Sequence, residues 1–575
     1  MTEKMKISEP WVSIRYRLIK DKLKDIEFTK EEIEKILGSK DKGLSNINEF
    51  ISILIKEGLL KSRQHPDDAR KTLYKLKEID TIIEHLTKDK LISLLKRGAD
   101  LIRLRVDYRV LLILLFYKSL SDNYNKKVKE YIDKGVDEED AYHLVNIEFY
   151  SLYDEAEHKL FTWEETAKDK VRVISNFINS FNALSDLNEK LSDLKILIEK
   201  LGFNSLLNNE DNFHIFLDLV DLFNKVNFAE AKYDVIGAGY EWILSYFASL
   251  NVKEGELYTP KEVIRLMVQL LDIKKDSDVL DPASGSNSML LEAYHYVSEH
   301  YNDGKTLHLE AQESNDITAI LGKLNLFLHN IYNFSPHTGD SLTNPKFKEA
   351  DYVLANPPWN QSGYDDKKLN REDLKKIYEF GAPSKQSADW AWVQSMNHKA
   401  RKKVAVILDS GALFRGGKEQ AIRKKFLDED LIDTVILLPE KLFYNTMAPG
   451  IILILNKAKP KNRKNKTFFV NMSETYIKHP EVRKLNSLSD DNIKKCVGVV
   501  LKYKEEEGFS KDVDVKEIEE NEFSLNVSLY AYPKEEAEHI DLNKEYKELK
   551  DIKKQELEVS GRINDYIEKI LKVTD

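Results

Sequence analysis

The chain has 575 residues, 42% hydrophobic and 32% charged, a balance found in globular rather than disordered proteins. Its formal net charge of −10 argues against a general polyanion binder, so any DNA contact has to rest on local patches or on a partner. The one cysteine, Cys496, excludes an internal disulfide and a cysteine-based zinc site.

The N-terminal MTEKMKISEP lacks the apolar segment of a secretory leader. Residues 1–80 read as a winged-helix-like module. Thr29 and Glu32 fit a capping box, Phe28 and Ile33 fit its hydrophobic staple, and Gly38 can close the helix. A second helix runs near Ser45–Gly58, and LLKSR and KTLYKL suit a hairpin. That second helix (SNINEFISILIKEG) carries a single lysine, too little for phosphate contact, so docking is its expected role. Residues 81–250 keep helical periodicity with few breakers and are expected to form an all-α domain. Its VLLILLFY at 110–117 is the longest apolar run, far below the roughly 20 residues that span a membrane. A soluble, cytoplasmic protein is the expectation. Arg103, Arg105 and Arg109 suit a solvated or salt-bridged face better than a phosphate site.

From 251 to 475 the pattern changes. SDVLDPA, LHLEAQ, DYVLAN, KVAVILDS, DTVILLP and GIILILN alternate with amphipathic stretches, which predicts a mostly parallel α/β sheet. The tract Asn456–Lys466 (NKAKPKNRKNK) carries six basic residues and reads as a surface loop near DNA. Residues 476–533 read as a small mixed segment. Residues 534–575 read as a C-terminal partner-binding helix with spaced apolar positions such as Tyr546, Leu549, Ile552 and Ile563, interrupted at Gly561.

The strand ends carry the chemistry. The first ends in Asp281-Pro-Ala-Ser-Gly285-Ser286-Asn287-Ser288, an acidic strand end and a glycine turn before a helix. Glycine permits close backbone approach, so this suits the floor of an adenosyl pocket. The second ends at Glu313, 32 residues past Asp281, where a carboxylate can accept from both ribose hydroxyls. Asp340 follows a third short strand, in GDSL. The fourth ends in Asn356-Pro357-Pro358-Trp359. An exocyclic adenine amine is a poor nucleophile because its lone pair is delocalised into the ring. The Asn356 side-chain oxygen and the Pro357 carbonyl can accept its two N–H bonds and favour a pyramidal nitrogen. Proline offers no competing N–H and stiffens the turn. Trp359 can stack on the base, which has to leave the duplex first. Upstream, Thr259 fits an N-cap and Pro260 a first helical position, so the free N–H groups of that helix start suit a carboxylate.

The order GELYTP, DPASGS, AQES, NLFLHN, GDSL, NPPW, ADWAW, LFRGG, LFYNTMAPGIILILNK resembles the modification subunit of type I restriction–modification systems. The resemblance covers about residues 95–530 and is most specific from 255 to 457. It implies helical N-terminal domains, a Rossmann-like S-adenosylmethionine-dependent methyltransferase domain and a C-terminal helix. It implies adenine N6 methylation of double-stranded DNA, a separate specificity subunit, a restriction subunit and two copies of the chain per complex. Carried over by position, Glu256, Leu257, Tyr258, Thr259, Pro260 and Lys261, with Ser286, Asn287, Ser288 and Glu313, contact the methyl donor. Asn356, Pro357, Pro358 and Trp359 hold the target adenine. Two positions depart from the family pattern: Asn287 stands where a second glycine is common, and Trp359 where Phe or Tyr is more usual. Direct in-line transfer needs no metal. Two other readings compete: a scaffold subunit that has lost donor binding through Asn287, and a protein-glutamine methyltransferase, whose members are much shorter.

Overall fold

The computed structural model describes residues 19, 23, 27–38, 47–56, 60–64, 71–76, 86–102, 105–203, 209–231, 233–250, 258–480, 482–532 and 542–571. It divides into two compact units, residues 1–239 and 240–575.

In the first unit, β1 (Glu27–Phe28), α1 (Lys30–Gly38), α2 (Ile47–Lys56), β2 (Leu60–Gln64) and β3 (Thr72–Leu76) form two helices on an antiparallel sheet of order β1-β3-β2. The backbone N–H of Thr29 donates to Glu32 Oε2 at 2.7 Å, one half of the expected capping box. Phe28 and Ile33 are both fully buried in this module's core, as a staple requires. The helical region follows, with α3 (Lys88–Ile102), α4 (Arg109–Ile132), α5 (Glu138–Glu148), α6 (Val173–Leu187) and α7 (Glu210–Phe223). Tyr117, Trp163, Phe177, Phe181 and Phe216 pack ring to ring at its centre. Arg109 pairs with Asp107 at 2.5 Å and Arg105 with Asp211 at 3.5 Å, a salt-bridged face as expected. Arg103 lies outside the described residues.

In the second unit the strands are β4 (Asp278–Asp281), β5 (His308–Glu313), β6 (Phe334–Thr338), β7 (Ala350–Ala355), β8 (Ala400–Asp409), β9 (Ile432–Leu437), β10 (Gly450–Asn456), β11 (Lys466–Asn471) and β12 (Ser510–Asp514). They form one nine-stranded sheet of order β12-β11-β9-β10-β8-β7-β4-β5-β6. The run β8-β7-β4-β5-β6 is parallel throughout, and β10 runs antiparallel between β8 and β9. Side chains alternate along each strand, and here both alternating sets are apolar. Ala405 and Ile407 enter one core while Val404, Val406 and Leu408 enter the other. A sheet apolar on both faces needs helices on both. Helices α8 (Lys261–Leu271), α9 (Ser288–Tyr301) and α10 (Asp490–Lys502) cover the first face. Helices α11 (Asp389–Lys399) and α12 (Lys418–Asp428) cover the second.

Two expectations change and one gains detail. Residues 476–533 are not separate from the sheet: β12 pairs with β11, and Ile493, Cys496 and Val499 of α10 join the main core. The basic tract is a surface segment, with Lys457, Lys461 and Lys464 exposed, in which two of the six basic residues turn inward. Lys459 is buried and donates to Asp430 at 2.7 Å, and Arg463 is buried against Asp512 with its guanidinium 3.9 Å from the Tyr503 ring centre. The carboxylates sit on neighbouring elements far away in sequence, so composition alone pointed outward. Finally, α13 (Leu542–Leu571) runs unbroken through Gly561. A glycine lowers helix propensity by about 1 kcal/mol but removes no backbone hydrogen bond. Among the described residues no helix is long and apolar enough to cross a membrane.

Candidate active site

The strand order reverses between β4 and β7, which pair in parallel at Val279–Tyr352 and Leu280–Val353. Strands 5 and 6 extend the sheet from β4, and β8 extends it the other way from β7. The carboxyl ends of such a pair leave a crevice where ligands bind. Asp281 ends β4 and Asn356 follows β7, so the two motif loops open side by side. A cleft is lined there by Asp281, Gly285, Ser286 and Ser288, by Tyr258 and Thr259, by Ile264 and Met289, and by Asn356.

On the first side, Asp281 accepts the N–H of Ala283 at 3.0 Å. Burial pushes its carboxyl up to about 8, with the nearby Glu313 charge adding to the effect. Gly285 has φ +49, and a Cβ built on it meets nothing within 4 Å, so the loop faces open space there. Glu313 Oε2 accepts the Gly285 N–H at 3.0 Å, and its Oε1 accepts from Asn315 N at 2.9 Å. Asn287 caps α9 with φ 61 and ψ 18. Asn is among the few side chains that adopt this left-handed backbone readily, which is how the chain does without a second glycine.

On the second side, Asn356 and Pro357 are buried, Pro358 is exposed and Trp359 is half-buried. Asn356 Nδ2 donates to the Thr259 hydroxyl at 2.9 Å, and Trp359 Nε1 donates to Asn356 Oδ1 at 2.9 Å. The Trp359 ring meets Phe443 edge-on, with centroids 4.9 Å apart. The turn is anchored beyond its end by Asn360, whose N–H donates to buried Asp389 at 3.1 Å. Arg415 donates to Asn360 Oδ1, to Asp389 at 2.9 Å and to Glu419 at 3.0 Å.

The structure therefore brings together Tyr258, Thr259, Asp281, Gly285, Ser286, Ser288 and Asn356, with Glu313 hydrogen-bonded to their loop. Lys261 turns instead to Glu241 at 2.6 Å. Asp340 closes its own turn, accepting from Leu342 N at 3.0 Å, Thr343 Oγ1 at 2.7 Å and the Tyr364 hydroxyl at 3.1 Å. Asn287 is buried beneath the loop rather than lining the cleft. Glu256 and Leu257 lie outside the described residues. Thr259 is not the N-cap: Pro260 holds that position and α8 begins at Lys261, so the Thr259 hydroxyl is left for Asn356. Sequence reading missed Gly322, on a helix spanning Asp316–Leu328. A Cβ there would lie 2.6 Å from the Gly285 carbonyl oxygen, so only glycine lets this helix approach the loop. It also missed Asn325, whose Nδ2 donates to Ser286 O at 2.9 Å, and the Arg415–Asp389 pair. The motifs NLFLHN, ADWAW and LFRGG contain Asn325, Asp389 and Arg415, but nothing local assigns their partners.

Strand order and paired strand-end motifs define a Rossmann-like methyltransferase. The model of the N-6 DNA methylase family matches residues 231–539. The chain is 49% identical over 571 residues to the type I restriction enzyme MjaVII methylase subunit of Methanocaldococcus jannaschii, covering 98% of each. It is 48% identical to the MjaVIII methylase subunit of the same organism, covering 99% of each. The crystal structure of the type I restriction–modification methyltransferase subunit from Streptococcus thermophilus is 25% identical. It superposes with a TM-score of 0.66 over 78% of this chain and 100% of that one. The chain belongs to the N-6 DNA methylase family, among its type I restriction enzyme methylase subunits, and is an adenine-specific DNA methyltransferase.

Proposed function

We propose that the cleft holds S-adenosylmethionine and that the Asn356–Trp359 turn holds an adenine rotated out of double-stranded DNA, with a separate specificity subunit reading the target sequence. The observation that carries this is the Asn356 carboxamide lining the same cleft as the Asp281–Ser288 loop. S-adenosylmethionine, when bound, supplies a sulfonium-activated methyl group. Open space over Gly285 and the helix starts at Lys261 and Ser288 fit an adenosyl group and a carboxylate. Glu313 keeps one lone pair on Oε2 for a ribose hydroxyl, and the Ser314 hydroxyl, which donates to its Oε1 at 3.1 Å, can turn away to free a second. Asn356 Oδ1 and the Pro357 carbonyl accept the two N–H bonds of N6. Trp359 packs on the base. Holding donor and base in one cleft supplies most of the acceleration through proximity and orientation.

Two copies of this chain with a specificity subunit form the modifying complex in the cytoplasm, and a restriction subunit joins it for cleavage. Helix α13 is the partner-binding element. Leu549, Ile552, Val559 and Ile563 are exposed on it at steps of three, seven and four, so an apolar stripe is left for another chain.

The test is labelled methyl transfer to double-stranded DNA by the chain alone, by the chain with the specificity subunit encoded beside it, and by the Asn356→Ala variant. Label on adenine only with the partner present, and lost in the variant, is the expected result. Full activity in Asn356→Ala overturns the role of the turn. Sequence-specific transfer by the chain alone overturns the borrowed specificity.

A further inference from the structure

The two ends of the Asn356 carboxamide differ, and the end that faces the substrate decides what can bind. An oxygen accepts an amine N–H, whereas an NH2 group opposes it. Oδ1 accepts from the Trp359 indole at 2.9 Å, and Nδ2 donates to the Thr259 hydroxyl at 2.9 Å. These partners are not equivalent. A hydroxyl can donate or accept, so Thr259 alone tolerates either orientation of the amide. An indole N–H can only donate. The oxygen is therefore fixed toward Trp359, because the flipped amide would set two donors against each other.

The indole is itself held. Its ring meets Phe443 at an interplanar angle of 71°. A Cβ at Gly450 would lie 3.0 Å from the indole and 2.8 Å from the Phe443 ring, so the bare glycine makes room for this packing. The bond from Trp359 occupies one of the two lone pairs of Oδ1 and leaves the second. Donation from Nδ2 to Thr259 shifts charge onto Oδ1 through the conjugated amide, which offsets what the indole bond withdraws.

We propose that Trp359 and Thr259 are positioning residues for methyl transfer, acting through Asn356 to present an acceptor oxygen to an amine-bearing base. This rests on the reading of Asn356 as the group that holds the N6 amine. Phenylalanine at position 359 keeps an aromatic ring for packing on the base but has no N–H, so it cannot set the amide.

The experiment uses the full chain with its specificity subunit and measures single-turnover transfer, the dissociation constant of S-adenosylmethionine and the melting temperature. The variants are Trp359→Phe, Thr259→Val, Thr259→Ser and the Trp359→Phe/Thr259→Val double, with Asn356→Ala as control. A drop of about tenfold is expected for Trp359→Phe, the size of one lost hydrogen bond. Its donor dissociation constant should stay within about twofold. Thr259→Val should be slower than the wild type, Thr259→Ser should be faster than Thr259→Val because it keeps the hydroxyl, and the double variant should lose less than the product of the singles because both act through one amide. Wild-type rates in Trp359→Phe and Thr259→Val beside an inactive Asn356→Ala overturn this proposal and leave the reading of Asn356 standing. An active Asn356→Ala removes that reading itself. A Thr259→Val loss that lies entirely in the donor dissociation constant assigns Thr259 to donor binding and overturns its positioning role.

Discussion

Glu313 accepts the backbone N–H of Gly285 at 3.0 Å, tying the end of the second strand to the glycine turn that follows the first. One carboxylate therefore shapes the loop and, in the proposed complex, holds the ribose. Glu313→Ala removes both contacts. A charge-assisted hydrogen bond contributes about 1.5–3 kcal/mol, so the dissociation constant of S-adenosylmethionine should rise by about 10- to 100-fold. Calorimetric titration reads this directly, and an unchanged constant would count against the assignment.

Gly322 supports the same loop from beneath. Gly322→Ala places a methyl group 2.6 Å from the Gly285 carbonyl oxygen and 2.9 Å from Asn287 Nδ2. Backbone has to move to relieve the first contact. Small-to-large changes in packed sites cost about 1–3 kcal/mol. A lower melting temperature and weaker donor binding should appear together. Normal donor binding would mean that the loop tolerates the shift.

Asp281 makes stability depend on pH. Burial raises its carboxyl from 3.8 to about 8 in the folded chain. Between those values the native state holds a proton that the unfolded chain releases. Stability therefore falls as pH rises through this window and levels off above about 8. Asp281→Asn removes the titration. Melting curves of the donor-free protein from pH 5 to pH 8.5 should converge on the variant at low pH and fall below it at high pH, the range being chosen to bracket the shift to about 8. Parallel curves would show that Asp281 stays ionised.

Arg463 should act on stability and not on DNA. It is buried, donates to Asp512 and lies over Tyr503. Arg463→Ala leaves Asp512 paired with Lys466 at 3.2 Å, so the loss is that of the Arg463 hydrogen bond and its packing on Tyr503, about 1–3 kcal/mol. Arg463→Ala should lower the denaturant midpoint accordingly, while the salt dependence of DNA binding by the assembled complex stays unchanged. A reduced salt slope would return this residue to the DNA-facing role that its composition suggested.

The contrast between Arg463 and Asn356 shows what was legible. Strand ends, glycine turns and proline stiffening are local, because side chains alternate every second residue and turn chemistry acts over three or four. The α/β alternation, the Asp281–Ser288 loop, Glu313 and the Asn356–Trp359 turn could therefore be read in order along the chain. The left-handed backbone at Asn287 could be read as well. The partners of these groups could not. Thr259 lies 97 residues from the amide it accepts from, and Arg415 lies 55 from the Asn360 it anchors. Gly322 matters only because its helix packs against Gly285. Lys459 and Arg463 look solvent-facing in the sequence until Asp430 and Asp512 are brought beside them.

The sequence by itself determined which strand ends carry polar groups and what chemistry those groups can perform, since both depend on residue type and short-range periodicity. Only the tertiary structure decided which hydrogen-bond partner each group meets, and so which way the Asn356 amide points. That orientation depends on Trp359, Phe443, Gly450 and Thr259 meeting at one edge of the sheet. Long-range pairing is set by strand order, and a linear spacing does not contain it.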